Sequence, residues 1–280
     1  MSRKVLVAGS AALLLVLGAC GGQAAAPQAP SGGATTSAAA ATDTKFTSAD
    51  QLNKAIFAAM KAKKTVSYRA TGTVEGKPEQ AINSTGALEY GADGVSATIN
   101  NKSEGKDQIV TITPKGIYLK LGAETGDPAK PWVKITPGGE DIFSKLMGAV
   151  VSAVQTQADL SKQLENIKSG GTITSTGEDT VNGEKVTKYA VSVDVKKVAE
   201  AQTDPLAKKA MEALVKAGAS TSEQVLYVKG DLLVRQVVTQ TLPVGKLSFT
   251  NDYSGWGEPA EIIVPKDGEV AEAPKLPGLN

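Results

Sequence analysis

The side chains that could do chemistry are few. Histidine is absent, and there is one cysteine, Cys20. That removes Ser-His-Asp and Cys-His nucleophile systems, histidine metal sites, internal disulfides and multi-cysteine zinc or iron-sulfur centres. Acid-base work would fall to carboxylates, lysines or tyrosines. Asp50, Asp93, Asp107, Asp127 and Asp179 are candidates for a metal or an acid-base pair. They occur singly in turns and caps, without the dense Asp/Asn/Gly pattern of a calcium loop. Gly91-Ala-Asp-Gly94 lacks the lysine and following helix of a phosphate loop. The residues therefore argue against an enzyme, a metal centre or a bound cofactor. With 30 basic against 29 acidic side chains in 280 residues, no global field favours nucleic acid as a partner.

The lone thiol does have a chemical context. Arg3 and Lys4 precede an apolar run, Val5 to Leu17, broken only by Gly9 and Ser10. The run is short of the ~20 residues of a membrane span and ends in small residues, as a secretory signal does. Leu17-Gly18-Ala19-Cys20 resembles a bacterial lipobox, in which the cysteine sulfur takes a diacylglyceryl group after the signal, residues 1–19, is cut away. Each buried methylene contributes ~0.8 kcal/mol, and two chains anchor stably. The expectation is a protein tethered to the outer face of a bacterial cell membrane.

Residues 20–44 then hold the acylated cysteine and an Ala/Pro/Ser/Thr segment with a single charge, Asp43. Such a composition cannot bury a core and reads as a disordered tether. As a coil of about 24 residues it reaches ~27 Å, and extended it reaches roughly 80 Å.

The two strand runs that remain could be two small domains, but no linker-like break separates them, and the expectation is one domain, 45–270, before a loose tail at 271–280. Ser48-Ala-Asp-Gln51 fits a capping box. Leu52, Ile56, Ala59 and Met60 follow on one helical face, and Lys61, Lys63 and Lys64 complement the dipole at its end. From Thr65 the period becomes two. Runs such as Ile109–Ile112, Ile117–Leu121 and Pro131–Ile135 are separated by turn signals at Gly76, Asp93-Gly94 and Pro114-Lys-Gly116.

Helical spacing returns in Ile142, Phe143, Leu146, Met147, Val150, Val151 and Val154, and in Leu160, Leu164 and Ile167, ending at Gly170-Gly171. Strands Thr172–Val181 and Lys185–Val195 meet at Asn182-Gly183, a strong hairpin signal. A helix over Pro205–Ala217 turns Leu206, Ala210, Ala213 and Leu214 inward. Glu223–Lys229, Leu232–Thr241, Lys246–Tyr253 and Glu261–Val264 finish the sheet. This order predicts an α+β fold. Ten or eleven antiparallel strands form a large curled sheet, and helices lie on its concave face around an apolar cavity.

Four local patterns carry a family resemblance. They are the lipobox with its tether; the capped helix leading into Thr65-Val-Ser-Tyr-Arg-Ala-Thr-Gly72; Leu160–Lys168 followed by Val181–Asp194; and Asp252-Tyr-Ser-Gly-Trp-Gly-Glu-Pro-Ala260 before Ile262-Ile-Val-Pro265. In this order they resemble the actinobacterial cell-envelope lipoproteins of the LppX/LprG group, with the half-barrel fold of the LolA and LolB carriers. The resemblance implies a cavity for the acyl chains of a lipid or glycolipid and carriage across the cell envelope, in some members beside an efflux transporter. It transfers no catalytic motif.

The candidate cavity lining is Ile56, Phe57 and Met60 on the first helix, Phe143, Leu146, Met147, Val150 and Val154 on the second stripe, and Leu214. Ordinary core packing accounts for the same positions. Trp256, between two glycines, is expected to plug one end of the sheet. The rival reading keeps the fold, fills its hollow with side chains, and makes the protein a partner-binding or sensory module.

Overall fold

A computed structural model describes residues 46–76, 81–103, 106–136, 160–203, 205–242 and 245–271. Cys20, the tether, the stripe Ile142–Val154 and residues 272–280 lie outside them, while Ala271, expected to begin the loose tail, belongs to a strand.

The first helix, α1 (Ala49–Lys63), starts where its cap predicts. Ser48 Oγ accepts from the Gln51 amide at 3.2 Å. The Gln51 side chain turns back to Thr47, one residue earlier than a capping box requires. Lys64, at φ 66°, ends the helix by donating its amide to the Met60 carbonyl at 2.9 Å. Five strands follow in hairpin order: β1 (Thr65–Val74), β2 (Ile82–Gly91), β3 (Gly94–Ser103), β4 (Lys106–Thr113) and β5 (Gly116–Lys120), with β6 (Trp132–Ile135) beyond a short 3₁₀ turn.

The helix α2 (Leu160–Gly170) then runs directly into β7 (Gly171–Val181). Glycine is required at this corner. A Cβ on Gly171 would stand 2.3 Å from the Ile167 carbonyl oxygen, and one on Gly170 2.7 Å from that of Asp194. Asn182 (φ 53°) and Gly183 (φ 81°) both adopt the left-handed region that a tight hairpin to β8 (Glu184–Asp194) demands.

Two short helices, α3 (Val195–Ala201) and α4 (Pro205–Lys216), lead to β9 (Thr221–Lys229), β10 (Leu232–Leu242) and β11 (Gly245–Ser254). The helix α3 is unexpected. Val195 continues the apolar alternation of β8, but the Asp194 carboxylate accepts from the Lys197 amide at 3.0 Å and caps a helix there.

The twelve strands form one sheet in the order β12-β6-β5-β4-β3-β2-β1-β11-β10-β9-β8-β7. It is large, antiparallel and carries helices against one face, as the element order predicts, but it is open and uncurled where a curled sheet is expected. It has one or two strands more than expected. The two halves meet where β1 pairs with β11, Ser67 opposite Ser254 and Val74 opposite Leu247.

One expected strand is replaced by another device. Glu261–Val264 is not a strand; residues 259–266 lie outside regular structure. Ile263 donates its amide to Thr98 Oγ1 (2.8 Å), and its carbonyl accepts from Thr111 Oγ1 (2.6 Å). Thr98 and Thr111 are cross-strand partners on the face opposite the helices, since their neighbours Ala97, Val110 and Ile112 belong to the helix-side core. The segment is thus a strap across the back of the sheet. It ends in β12 (Val270–Ala271), which pairs with β6 in the sheet's only parallel contact among the described residues. The strap explains why Thr98 and Thr111 are buried.

The main core lies between α1, α2 and the inner face. Leu52, Ile56 and Met60 of α1 and Leu164 and Ile167 of α2 pack against Val66, Leu88, Leu119, Val191, Leu226 and Leu233 from both half-sheets. Trp256, flanked by Gly255 and Gly257 at positive φ, packs against this core and donates Nε1–H to the Leu233 carbonyl at 2.9 Å. That is the end-plug position expected of it.

Candidate functional site

The inner face of the sheet, under the helix layer, is where the folded chain concentrates apolar surface. Alternation decides which residues reach it. On β1 these are Val66, Tyr68, Ala70, Gly72 and Val74; on β11, Leu247, Phe249, Asn251 and Tyr253. Two inner glycines carry aromatic rings. Tyr68 lies over its partner Gly86, and Phe249 over its partner Gly72, where a Cβ would meet ring carbons at 2.8 and 2.7 Å.

The face is covered unevenly. At one end α1 and α2 seal the main core, with Ile56 and Met60 fully buried. At the other end α4 forms a separate cluster. Only Val195, Ala219 and Leu247 are buried there, and Met211, Leu214, Val215, Val74 and Phe249 are half-exposed. Met211 also touches the main core and joins the two clusters. The stripe of α4 is rotated from its expected setting. Met211, Leu214 and Val215 turn to the sheet, and Ala213 is exposed. The larger side chains bury more area and so set the helix's rotation.

Of the expected lining residues, Ile56 and Met60 come together in the sealed end and Leu214 sits in the loosely covered end. Phe57 lies off the buried stripe of α1, half-buried, with Lys61 Nζ 4.6 Å from its ring centre. Phe143, Leu146, Met147, Val150 and Val154 lie outside the described residues, as does Cys20.

Polar groups on the inner face went unnoticed in the sequence. Gln224 and Gln236 are buried, and Gln236 Nε2 donates to Gln224 Oε1 at 3.0 Å. Gln236 Oε1 has no hydrogen-bond partner among the described residues, although Gln236 is only 1% exposed. Buried polar atoms are usually paired, so this oxygen could accept from a hydroxyl or amide brought against it. Gln224 shares the phase of Leu226 and Val228 along β9, and that spacing was the available signal. At the junction of α1 and α2, Asn53 Nδ2 donates to the Leu164 carbonyl.

Titratable groups inside the face are phenols. Burial pushes Tyr68 and Tyr253 well above the ordinary range, and the Tyr68 phenol raises Tyr253 further. Burial also raises Tyr189, against which Phe46 stacks with ring centres 6.0 Å apart. Full charges sit elsewhere. On the outer face, a hydrogen bond to Asp252 raises the Arg235 pKa. Among the described residues no group of three or more acidic or cysteine side chains could hold a metal. No described helix is long and apolar enough to cross a membrane. The arrangement offers apolar surface, a buried amide pair and neutral phenols.

No protein-family profile matches the chain, and no curated protein matches it in sequence. Solved structures do resemble it. The lipoprotein LppX of Mycobacterium tuberculosis aligns over 77% of this chain and 98% of its own, with 14% identity and a TM-score of 0.46. LprF from Mycobacterium bovis aligns over 77% and 97%, with 19% identity and a TM-score of 0.42. A LolA superfamily protein from Nitrosomonas europaea aligns over 74% and 92%, with 6% identity and a TM-score of 0.34.

Proposed function

We propose that this chain is a non-catalytic, membrane-anchored lipoprotein. It holds the acyl chains of a lipid or glycolipid between its helix layer and inner sheet face, and carries or chaperones them across the cell envelope. The observation that carries the reading is the uneven cover of that face. Met211, Leu214 and Val215 of α4 meet Val74 and Phe249 without sealing them. A tightly packed core buries such side chains completely, whereas a seam that admits a hydrocarbon chain must part without breaking the fold. The main core under α1 supplies the rigid part.

The chemistry suits the cargo. Sixteen methylenes exposed to water cost on the order of 13 kcal/mol. Aliphatic walls remove that cost without directional contacts, so a chain without histidine and with one thiol is adequate to the task. The thiol has its own role. Cys20 takes the anchor, and the tether that follows lets the domain leave the bilayer and return. An envelope transporter is the natural partner for such delivery.

The test is native mass spectrometry of the chain from Gly21 onward, with lipid extraction of the same sample. A lipid-sized adduct released on denaturation is expected, and Leu214→Asp lowers the loaded fraction while circular dichroism stays unchanged. A bare polypeptide mass that remains bare after incubation with envelope lipids overturns the reading and leaves the partner-binding module in its place.

A further inference from the structure

The charge of the molecule is divided between its layers. The chain as a whole is nearly neutral, with 30 basic and 29 acidic side chains. The four helices alone carry ten lysines and four carboxylates. The rest of the chain therefore carries the compensating negative excess. The helices neighbour one another in the succession α1-α2-α3-α4 and form one layer. Each described helix turns apolar residues toward a core cluster, and Lys168 of α2, Lys197 of α3 and Lys208 and Lys209 of α4 are exposed. Two of the four carboxylates, Asp50 and Glu200, are already engaged by Lys54 (2.7 Å) and Lys196 (4.0 Å) on the same helices. Lys168 of α2 further lowers the Asp50 pKa from across the helix pair.

We infer that the lysine-bearing helix layer is a docking face for an anionic lipid surface. Two observations select a bilayer over another polyanion. The positive charge is spread over four helices as a broad face, which suits a planar surface. And the chain enters the fold on this side: Phe46, at the start of α1, is held against Tyr189 of the inner face, so residues 20–45 lead from the expected anchor into the helix layer. A tether of that length keeps the layer within reach of the surface at all times. This step rests on the anchoring part of the proposed function but not on the cargo. Docking by this face would bring the loosely covered α4 seam against the lipid headgroups.

Each lysine brought to an anionic surface strengthens partitioning by about five-fold. The experiment is vesicle co-sedimentation of the chain from Gly21 onward, which lacks the acylated cysteine. It uses phosphatidylcholine vesicles with and without phosphatidylglycerol. Binding is expected to require phosphatidylglycerol and to fall when salt rises from about 0.15 M to about 1 M, as screening shortens from ~8 to ~3 Å. Replacing four exposed lysines (Lys168→Gln, Lys197→Gln, Lys208→Gln, Lys209→Gln) should weaken it by about ten-fold or more. The same variant should keep its lipid adduct in native mass spectrometry, which separates this inference from the cargo reading. Equal binding to both vesicle types, unchanged binding by the four-lysine variant, or binding to heparin without vesicle association would each overturn it.

Discussion

The strap across the back of the sheet can be released with little change of shape. Ile263 has both backbone groups satisfied by two threonine hydroxyls on adjacent strands, Thr98 Oγ1 accepting at 2.8 Å and Thr111 Oγ1 donating at 2.6 Å. Thr→Val keeps the branched outline and removes the hydroxyl. One neutral hydrogen bond contributes about 1 kcal/mol net, and leaving its partner buried and unpaired costs about 1–3 kcal/mol. Ile263 is half-buried, so water reaches it in part and the lower figure applies. Thr111→Val should cost about 1 kcal/mol. The double variant with Thr98→Val should cost about 2 kcal/mol, with some non-additivity because both bonds converge on one residue.

For a domain of this size that is roughly 4–8 °C in melting temperature. Urea unfolding measures the cost. Amide hydrogen exchange locates it: protection should fall first at Val270 and Ala271, which hold the β6 edge through the strap, and stay unchanged in β8–β10. The reasoning is refuted if the double variant is as stable as the parent, or if protection is lost evenly across the sheet.

Two further outcomes follow from local geometry. Gly171→Ala places a methyl 2.3 Å from the Ile167 carbonyl and should destabilise by ~3 kcal/mol or more, whereas Gly177→Ala, with nothing within 4 Å, should stay within about 0.5 kcal/mol; denaturant midpoints would show equal effects if the corner is not tight. The buried phenols of Tyr68 and Tyr253 have folded pKa values above the unfolded value of about 10, so their contribution is fully present below that pH and is lost as pH rises through the folded values. Ultraviolet titration of the six tyrosines should show at least two that ionise only with unfolding, and simultaneous ionisation of all six in an intact fold would refute the burial argument.

What could be read in advance was what neighbours along the chain decide. Ser48, Gln51 and Lys64 mark the ends of α1, and Asn182-Gly183 marks a hairpin, because capping and turn chemistry act over four residues. The helix α3 escaped because seven residues are too few to display a helical period, and Val195 prolonged the strand pattern. Ile262-Ile263-Val264 has strand composition, but the backbone of Ile263 is satisfied by side chains of β3 and β4, a pairing no local pattern encodes.

The candidate site was legible only as aliphatic positions. Ile56 and Leu214 look alike in sequence, yet on α1 the one is sealed against the sheet and on α4 the other is half-exposed, because cover depends on how helices distant in sequence sit on the sheet. Gln224 was overlooked since polar residues are ordinarily assigned to the outside, although its phase placed it within; Gln236 comes inside only because the register shifts between Leu233 and Arg235.

The seam between β1 and β11 has a consequence for how the chain comes into being. Ser67 must find Ser254, so the centre of the sheet closes last in sequence order, and closure over so long a loop is entropically slow. A chain delivered amino end first can assemble β1–β6 early, but β1 then waits with one bare edge. During that interval the unpaired edge can recruit a strand from another molecule, the route by which nascent sheets aggregate. The edge is protected only when β11 arrives, and the strap that follows it fastens the far margin. Premature termination near the carboxyl end should therefore harm solubility far more than the few residues lost would suggest.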